Sequence, residues 1–113
     1  MQIIKDVVTV KELKVISANL FGDMVKAVVD VDKELVAVDA ELHSDLEALL
    51  LKEGSKQNNL WGINLYPALQ DDQFIEFDSM INMRPSQGNR SRGVENEQMR
   101  KKIMAVVAKR IKE

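Results

Sequence analysis

The hydrophobic period switches repeatedly along this chain, and that switching restricts the fold more than any other feature. Leu13, Ile16 and Leu20 recur at helical spacing. Directly after them Val25, Ala27, Val29 and Val31 alternate with Met24, Lys26, Val28 and Asp30, the period of two that a strand requires. Glu34 to Val38 reads as a second strand, apolar enough to be central. Leu42, Leu46, Leu49 and Leu50 then return to helical spacing. Two further strand segments, 60–66 and 74–83, precede a final helix whose inward positions are Met99, Ile103, Val106 and Val107. The expected order is α-β-β-α-β-β-α. Hairpins separated by helices imply an α+β fold, with an antiparallel or mixed four-stranded sheet and helices packed mainly on one face.

Local signals place the boundaries. Thr9 and Glu12 form a T-x-x-E capping box for a helix over 10–21, with Val8 and Leu13 as its hydrophobic staple. Gly22 suits a left-handed stop. Asp30-Val31-Asp32-Lys33 is a turn sequence. Asp39 is expected to cap a helix over 40–52, which Gly54 ends, followed by a polar loop over 55–59. Pro67, Asp71 and Asp72 break the chain between the last two strands. Residues 84–93 form a loop without apolar anchors, and the last helix is expected from 95 to about 112.

The chain of 113 residues, 45% apolar and 30% charged, has the composition of one soluble globular domain. Its longest apolar run, Ile103 to Ala108, is far shorter than the roughly 20 residues of a spanning helix. No signal-peptide core follows Met1, so a cytoplasmic location is expected and no membrane association. With no cysteine, disulfides, thiolate metal sites and thiol catalysis are excluded. The formal net charge of −2 conceals two unlike parts. Residues 1–83 carry 7 Lys/Arg and 15 Asp/Glu, a balance of −8, and residues 84–113 carry 9 and 3, a balance of +6.

The second strand pair holds the first candidate site. If Tyr66 pairs with Phe74, Asn64 lies opposite Glu76 and Gly62 opposite Asp78. One face then carries Asn64, Tyr66, Glu76, Asp78, Asn82 and Arg84, with Gly62 leaving room beside Asp78. A wet outer sheet face accounts for polar residues there. Yet Asn64, Asp78 and Asn82 are poor strand formers, and positions that defy local propensity are enriched in function. Glu76 and Asp78 are the candidate catalytic carboxylates of this face.

The second candidate site is the loop R-P-S-Q-G-N-R-S-R-G over 84–93, which leads into the last helix. Arg84, Arg90 and Arg92 offer guanidinium forks for phosphate or carboxylate oxygens, and Asn82, Asn89 and Ser91 add hydrogen-bonding groups. Gly88 and Gly93 let the backbone approach an anion closely. Neither a Walker loop nor a dinucleotide GxGxxG pattern is present. Two internal explanations compete: the arginines could pair with carboxylates of the acidic part, and Glu95 or Glu97 could already complement the helix start.

The segments W-G-I-N-L-Y-P, from Trp61, and F-I-E-F-D-S-M-I-N-M-R-P-S-Q-G-N-R-S-R, from Phe74, resemble a small uncharacterised family of prokaryotic proteins of unknown function. The likeness extends to the opening helix and to V-D-A-E-L-H, from Val38. It implies a small stand-alone domain and assigns no catalytic residue.

His43 is the only imidazole. Asp39, His43 and Glu47 are spaced to line one helical stripe, which reads as a solvated pair with a capping aspartate more readily than as a metal site. Arg100, Lys101, Lys102, Lys109, Arg110 and Lys112 make the last helix basic. A solvated face and the helix dipole account for them. Nucleic acid is a weaker partner, because the chain is acidic overall and has only five aromatic residues. Three functions follow, in order. The first is a binding module for a phosphate-bearing ligand, a nucleotide or another anion at the 84–93 loop. The second is a small metal-assisted hydrolase or phosphoryl-transfer enzyme using Glu76 and Asp78, with Asn64 orienting substrate. The third is a homodimer joined by charge complementarity. No cofactor is indicated.

Overall fold

A computed structural model describes residues 1–113. Its main sheet is antiparallel and has five strands in the order β1 (Gln2–Ile4), β4 (Leu35–Val38), β3 (Val25–Asp30), β5 (Leu60–Leu65) and β6 (Ile75–Glu76). A short parallel pair joins β2 (Val8–Thr9) to β7 (Ile111–Lys112). The helices are α1 (Val10–Asn19), α2 (His43–Lys52) and α3 (Glu97–Arg110). The α+β class and the antiparallel hairpins match the periodicity. The four-stranded count does not, because β1 pairs with β4 through only three residues and has no alternation of its own.

The helices do not share one face. Val25, Ala27, Val29, Trp61, Ile63 and Leu65 form the larger core with Leu13 of α1 and with Ile103, Val106 and Val107 of α3. Val28, Ala37 and Leu60 pack on the other face against Leu46 and Leu50 of α2. The expectation of helices mainly on one face is therefore corrected: the sheet is covered on both. The physical reason lies in β3 and β4, whose residues Ala27 to Asp30 and Val36 to Val38 are buried on both faces.

The first helix forms as its ends dictate. Thr9 Oγ1 accepts from the Glu12 N–H at 3.1 Å, and Glu12 Oε2 accepts from the Thr9 N–H at 3.4 Å. Leu13 is buried, and Gly22 takes the left-handed conformation expected of a stop. The β3–β4 turn forms around Asp30, whose Oδ1 accepts the N–H groups of Asp32 and Lys33, both at 2.9 Å. Its Oδ2 accepts the Ser55 hydroxyl at 2.6 Å, so this fully buried carboxylate also ties down the end of α2.

Several boundaries differ from expectation. α1 ends at Asn19, not 21, and the last helix runs over Glu97–Arg110, not 95–112, because the Asn96 side chain caps it and Ile111–Lys112 pair with β2 as β7. The second helix starts at His43, not at 40, with Leu42 as an N-cap that makes no side-chain hydrogen bond. Asp39 instead lies in the left-handed region at φ 74°, and its carboxylate is 3.9 Å from the Met1 amino group. Leu42, expected in the core, is exposed. The strand expected over 74–83 stops after Glu76. The chain then turns through a 3₁₀ segment, Met80–Asn82, in which the Ser79 hydroxyl accepts the Ile81 N–H. No helix is long and apolar enough to cross a membrane.

Candidate functional site

The outer edge of β5 organises the region that carries every candidate residue. The outward backbone groups of this strand fall at alternate residues 66, 64, 62 and 60. Tyr66 N–H donates to the Phe74 carbonyl at 2.9 Å, and Asn64 pairs with Glu76 in the register read from the sequence. Beyond that point β6 has left the sheet, and side chains replace it. Asn82 Oδ1 accepts the Gly62 N–H at 2.8 Å, while Asn82 Nδ2 donates to the Gly62 carbonyl at 2.9 Å. One amide thus presents to Gly62 the acceptor and donor that a neighbouring strand would. The Arg84 guanidinium continues the edge by donating to the carbonyls of Leu60 and Gln57. It also stacks on Trp61, 4.2 Å from the ring.

Gly62 is required by this arrangement. A Cβ there would lie 2.5 Å from the Ser79 Cβ, so Gly62 faces Ser79 and Asn82 and not Asp78 as the uninterrupted hairpin implied. Asn82 and Arg84 consequently do not join a ligand-facing row. Both are structural partners of the backbone, and burial pushes the Arg84 pKa down while the charge of Glu47 opposes that shift.

The loop over 84–93 is held by Asn89, which is buried. Its Nδ2 donates to the carbonyls of Asn82 at 2.7 Å, Gly93 at 2.8 Å and Ser91 at 3.1 Å, and its Oδ1 accepts the Glu95 N–H at 2.9 Å. Gly88 supplies the left-handed residue of the turn between Arg84 and Asn89. The backbone N–H groups of Arg90 and Ser91 do converge on an anion, but it is the chain's own. Glu95 Oε2 accepts both, at 2.5 and 2.9 Å, and these bonds hold the Glu95 carboxyl below its usual range. The Ser91 hydroxyl accepts the Gly93 N–H at 3.2 Å. Arg92 Nε pairs with Asp78 Oδ1 at 2.7 Å. Of the three loop arginines, only Arg90 has a side chain with no hydrogen bond or ion pair.

A different group does converge. On the sheet face covered by α2, Lys26, Asn64 and Glu76 lie directly opposite one another in a single row. Glu76 Oε1 accepts from Asn64 Nδ2 at 2.8 Å and from the Tyr66 hydroxyl at 3.0 Å. Burial, with the hydrogen bond and charge of Glu76, raises the Tyr66 pKa. Asn64 is 5% exposed, and its Oδ1 is buried without a partner. Lys26 lies over the Phe21 ring at 5.3 Å and has no carboxylate partner.

His43, the first residue of α2, closes this row from above. Its Nε2 lies 2.8 Å from the Ile63 carbonyl, which makes Nε2 the protonated nitrogen and leaves Nδ1 as an acceptor. Burial lowers its pKa. The Ile63 carbonyl opposes that shift, Lys26 and Arg92 reinforce it, and Asp78 opposes it. Lys26, Asp78 and Arg92 are thus the charged groups whose fields act on this imidazole. The stripe of Asp39, His43 and Glu47 read as solvated is thus corrected. His43 is 8% exposed and shares the inner face of α2 with Leu46 and Leu50, three and seven residues on. Shifting the helix start from 40 to 43 hid this from the sequence reading. No three His, Asp or Glu side chains come together as a metal-binding group.

The structure therefore brings Asn64, Glu76, Asp78 and Arg92 to one polar face and adds Lys26, His43 and Tyr66. It engages the side chains of Asn82, Arg84, Asn89 and Ser91 with backbone groups of the chain and gives that of Arg90 no hydrogen bond or ion pair. Lys26 had a visible signal: it is the lone cation of β3, a strand that is apolar apart from Lys26 and the Asp30 that ends it. None of the residues of the polar face lines the cleft between α1, α3 and the β5–β6 connection, which lies on the opposite side of the sheet.

The chain belongs to a family described as Protein of unknown function (DUF5674), whose model matches residues 2–110. Neither the curated proteins nor the solved structures provide a match to it.

Proposed function

We propose that the polar face around Asn64 binds a small anionic ligand carrying a phosphate or carboxylate. The observation behind this reading is the placement of Lys26, a cation without a carboxylate partner, directly opposite Asn64 on the face that also carries the buried ring of His43, with the exposed Arg92 joined to it through Asp78. Lys26 supplies the uncommitted charge. Arg92 is shared between Asp78 and the ligand, and Asn64 anchors the floor. The 84–93 loop serves as the frame that fixes Arg92, because its own backbone anion position is filled by Glu95.

Calorimetric titration with inorganic phosphate and with a phosphate monoester tests the reading. Lys26→Ala and Arg92→Ala should each weaken binding by about tenfold, the scale of one charge-assisted hydrogen bond. Arg90→Ala should leave it unchanged. Loss confined to Arg90→Ala would return the site to the loop crest, and absence of binding by both anions would remove the reading altogether.

A second reading, hydrolysis at the same face, is supported by the way Asn64 and Tyr66 aim one oxygen of Glu76 and leave the other unengaged. An oriented carboxylate is the arrangement required of a general base. Here Glu76→Gln would abolish turnover of a phosphate ester while sparing its binding.

A further inference from the structure

The cleft on the other side of the sheet shares no wall with the polar face. It has a volume of about 550 Å³ and lies between α1, the C-terminal half of α3 with β7, and the connection from β5 to β6. That volume is within the range of small-molecule sites, roughly 300–1,000 Å³. Its floor is apolar: Val10, Phe74, Ile75, Met104, Val107 and Ile111. Val10, Phe74 and Ile75 are only partly buried where they pack on the larger core, and Met104 and Leu69 are exposed. These side chains keep apolar surface in water that a ligand would cover.

The charges at the rim are unevenly committed. Lys112 Nζ donates to the Ala108 carbonyl of the preceding turn at 2.7 Å, which uses its charge to complement the C-terminus of α3. Lys14 projects from α1 into the same cleft and has neither an ion pair nor a side-chain hydrogen bond. Asp71 is on the opposite wall, at the start of a 3₁₀ turn whose N-terminus favours its negative charge. Glu113 also lines the cleft beside Lys112 and makes no ion pair. The uncommitted cation, Lys14, therefore belongs to the α1 wall beside the apolar floor, and an uncommitted carboxylate lies at the end of β7.

We infer that this cleft binds an elongated apolar molecule ending in a single carboxylate, of the fatty-acid type. The chain would cover Met104, Val107, Phe74 and Ile75, and the carboxylate would pair with Lys14. An apolar chain alone would find a floor here but no reason for Lys14. A compact phosphate would find Lys14 but leave the apolar floor wet. The inference is independent of the anion-binding reading, which uses other residues on the other face of the sheet.

The test is calorimetric titration of the full chain with dodecanoate, dodecanol and dodecylamine, each below its micelle concentration. Dodecanoate should bind at one molecule per chain, and about fivefold or more tightly than dodecylamine. Lys14→Glu should reverse that order. Ala108→Trp, on an exposed helix position that lines the cleft, should abolish binding without loss of helical circular dichroism. Ala68→Trp fills the cleft from the opposite wall and guards against a local defect in α3. Three results would each overturn the inference: equal affinity for the anionic and cationic chains, unchanged affinity in both tryptophan variants, or no binding of any of the three. A dimer in sedimentation that Ala108→Trp dissociates would assign the cleft to a second copy of the chain and overturn it too.

Discussion

Replacing Asn82 by leucine isolates the energetic role of the side chain that substitutes for a strand. The two residues are close in size, and the site is fully buried, so the change mainly removes hydrogen bonds. Gly62 loses the partner of its N–H at 2.8 Å and of its carbonyl at 2.9 Å. The Arg92 carbonyl loses one donor but keeps the Ser79 N–H at 2.9 Å, so it is not orphaned. Two buried backbone groups are left without partners. At about 1–3 kcal/mol each, the expected loss is roughly 2–6 kcal/mol. That is a large part of the roughly 5–15 kcal/mol that stabilises a domain of this kind. Urea unfolding followed by Trp61 fluorescence measures it directly, since Trp61 is the only tryptophan and neighbours Gly62. Asn82→Asp sharpens the test. Its carboxylate can still accept the Gly62 N–H, but it faces the Gly62 and Arg92 carbonyls with a charge that burial opposes. Its pKa would be raised in the folded state, so its penalty should be greatest at neutral pH and shrink as pH falls through that raised value. A loss below about 1 kcal/mol for Asn82→Leu, or an aspartate variant milder than the leucine variant at pH 7, would refute the edge-completion argument.

Other consequences are measurable in the same way. Gly62→Ala drives a Cβ to 2.5 Å from the Ser79 Cβ and should cost about 1–3 kcal/mol, part of which Ser79→Gly restores; strict additivity of the two changes would show that the contact is not the cause. Thr9→Ala removes the capping box of α1 and should lower stability by about 1 kcal/mol, seen as a lower urea midpoint. His43 has a folded-state pKa below its ordinary value of 6.5, so the unfolded chain binds its proton first. The stability due to the neutral imidazole is complete above about pH 6.5 and declines as pH falls from there toward the lowered value. Wild type should lose midpoint over that window, and His43→Met should lose the slope. Glu95 behaves similarly in a more acidic window: its lowered pKa means that the pinning of the Arg90 and Ser91 N–H groups weakens as pH falls from about 4.5 toward the lowered value, visible as reduced protection of those two amides relative to their intrinsic exchange at each pH and absent in Glu95→Gln.

The parts of this fold that follow a period were readable in advance, and the parts built by single side chains were not. Leu13, Val25, Ala27, Val29, Leu46, Leu50, Ile103, Val106 and Val107 are core residues because spacing alone puts them on one stripe or one strand face. The register of Asn64 against Glu76 followed from the breakers Pro67, Asp71 and Asp72, which limit where the two strands can meet. The fifth strand could not be read, since three residues do not establish a period. Nor could the end of β6. Alternation in F-I-E-F-D-S-M-I-N-M continues past Glu76, and only the contact of Gly62 with Ser79 shows that the chain has turned aside.

The asparagines show why an unusual residue in a strand-like segment is an ambiguous sign of function. Asn64 and Asn82 both oppose strand propensity, and both are buried with most of their polar atoms engaged by the protein. Asn82 and Asn89 explain themselves completely: an amide offers a donor and an acceptor on one rigid group, which is what an unpaired stretch of backbone needs. Arg84 performs the same task for Leu60 and Gln57 with a guanidinium. Asn64 is different, because its Oδ1 remains buried and unpartnered after its amide nitrogen has fixed Glu76. Lys26 is opposite it, and the neutral His43 ring is tied to the next backbone carbonyl along β5. The charge split at residue 83 acquires a physical meaning at this point. Part of the basic segment is spent on the acidic one, Arg92 on Asp78 and Lys109 on Glu34. None of the seven lysines of the acidic part has such a partner, and Lys26 is the one among them that lies in a strand of the sheet. The proposed anion site thus rests less on the many arginines of the loop than on one lysine of the sheet, opposite a buried amide.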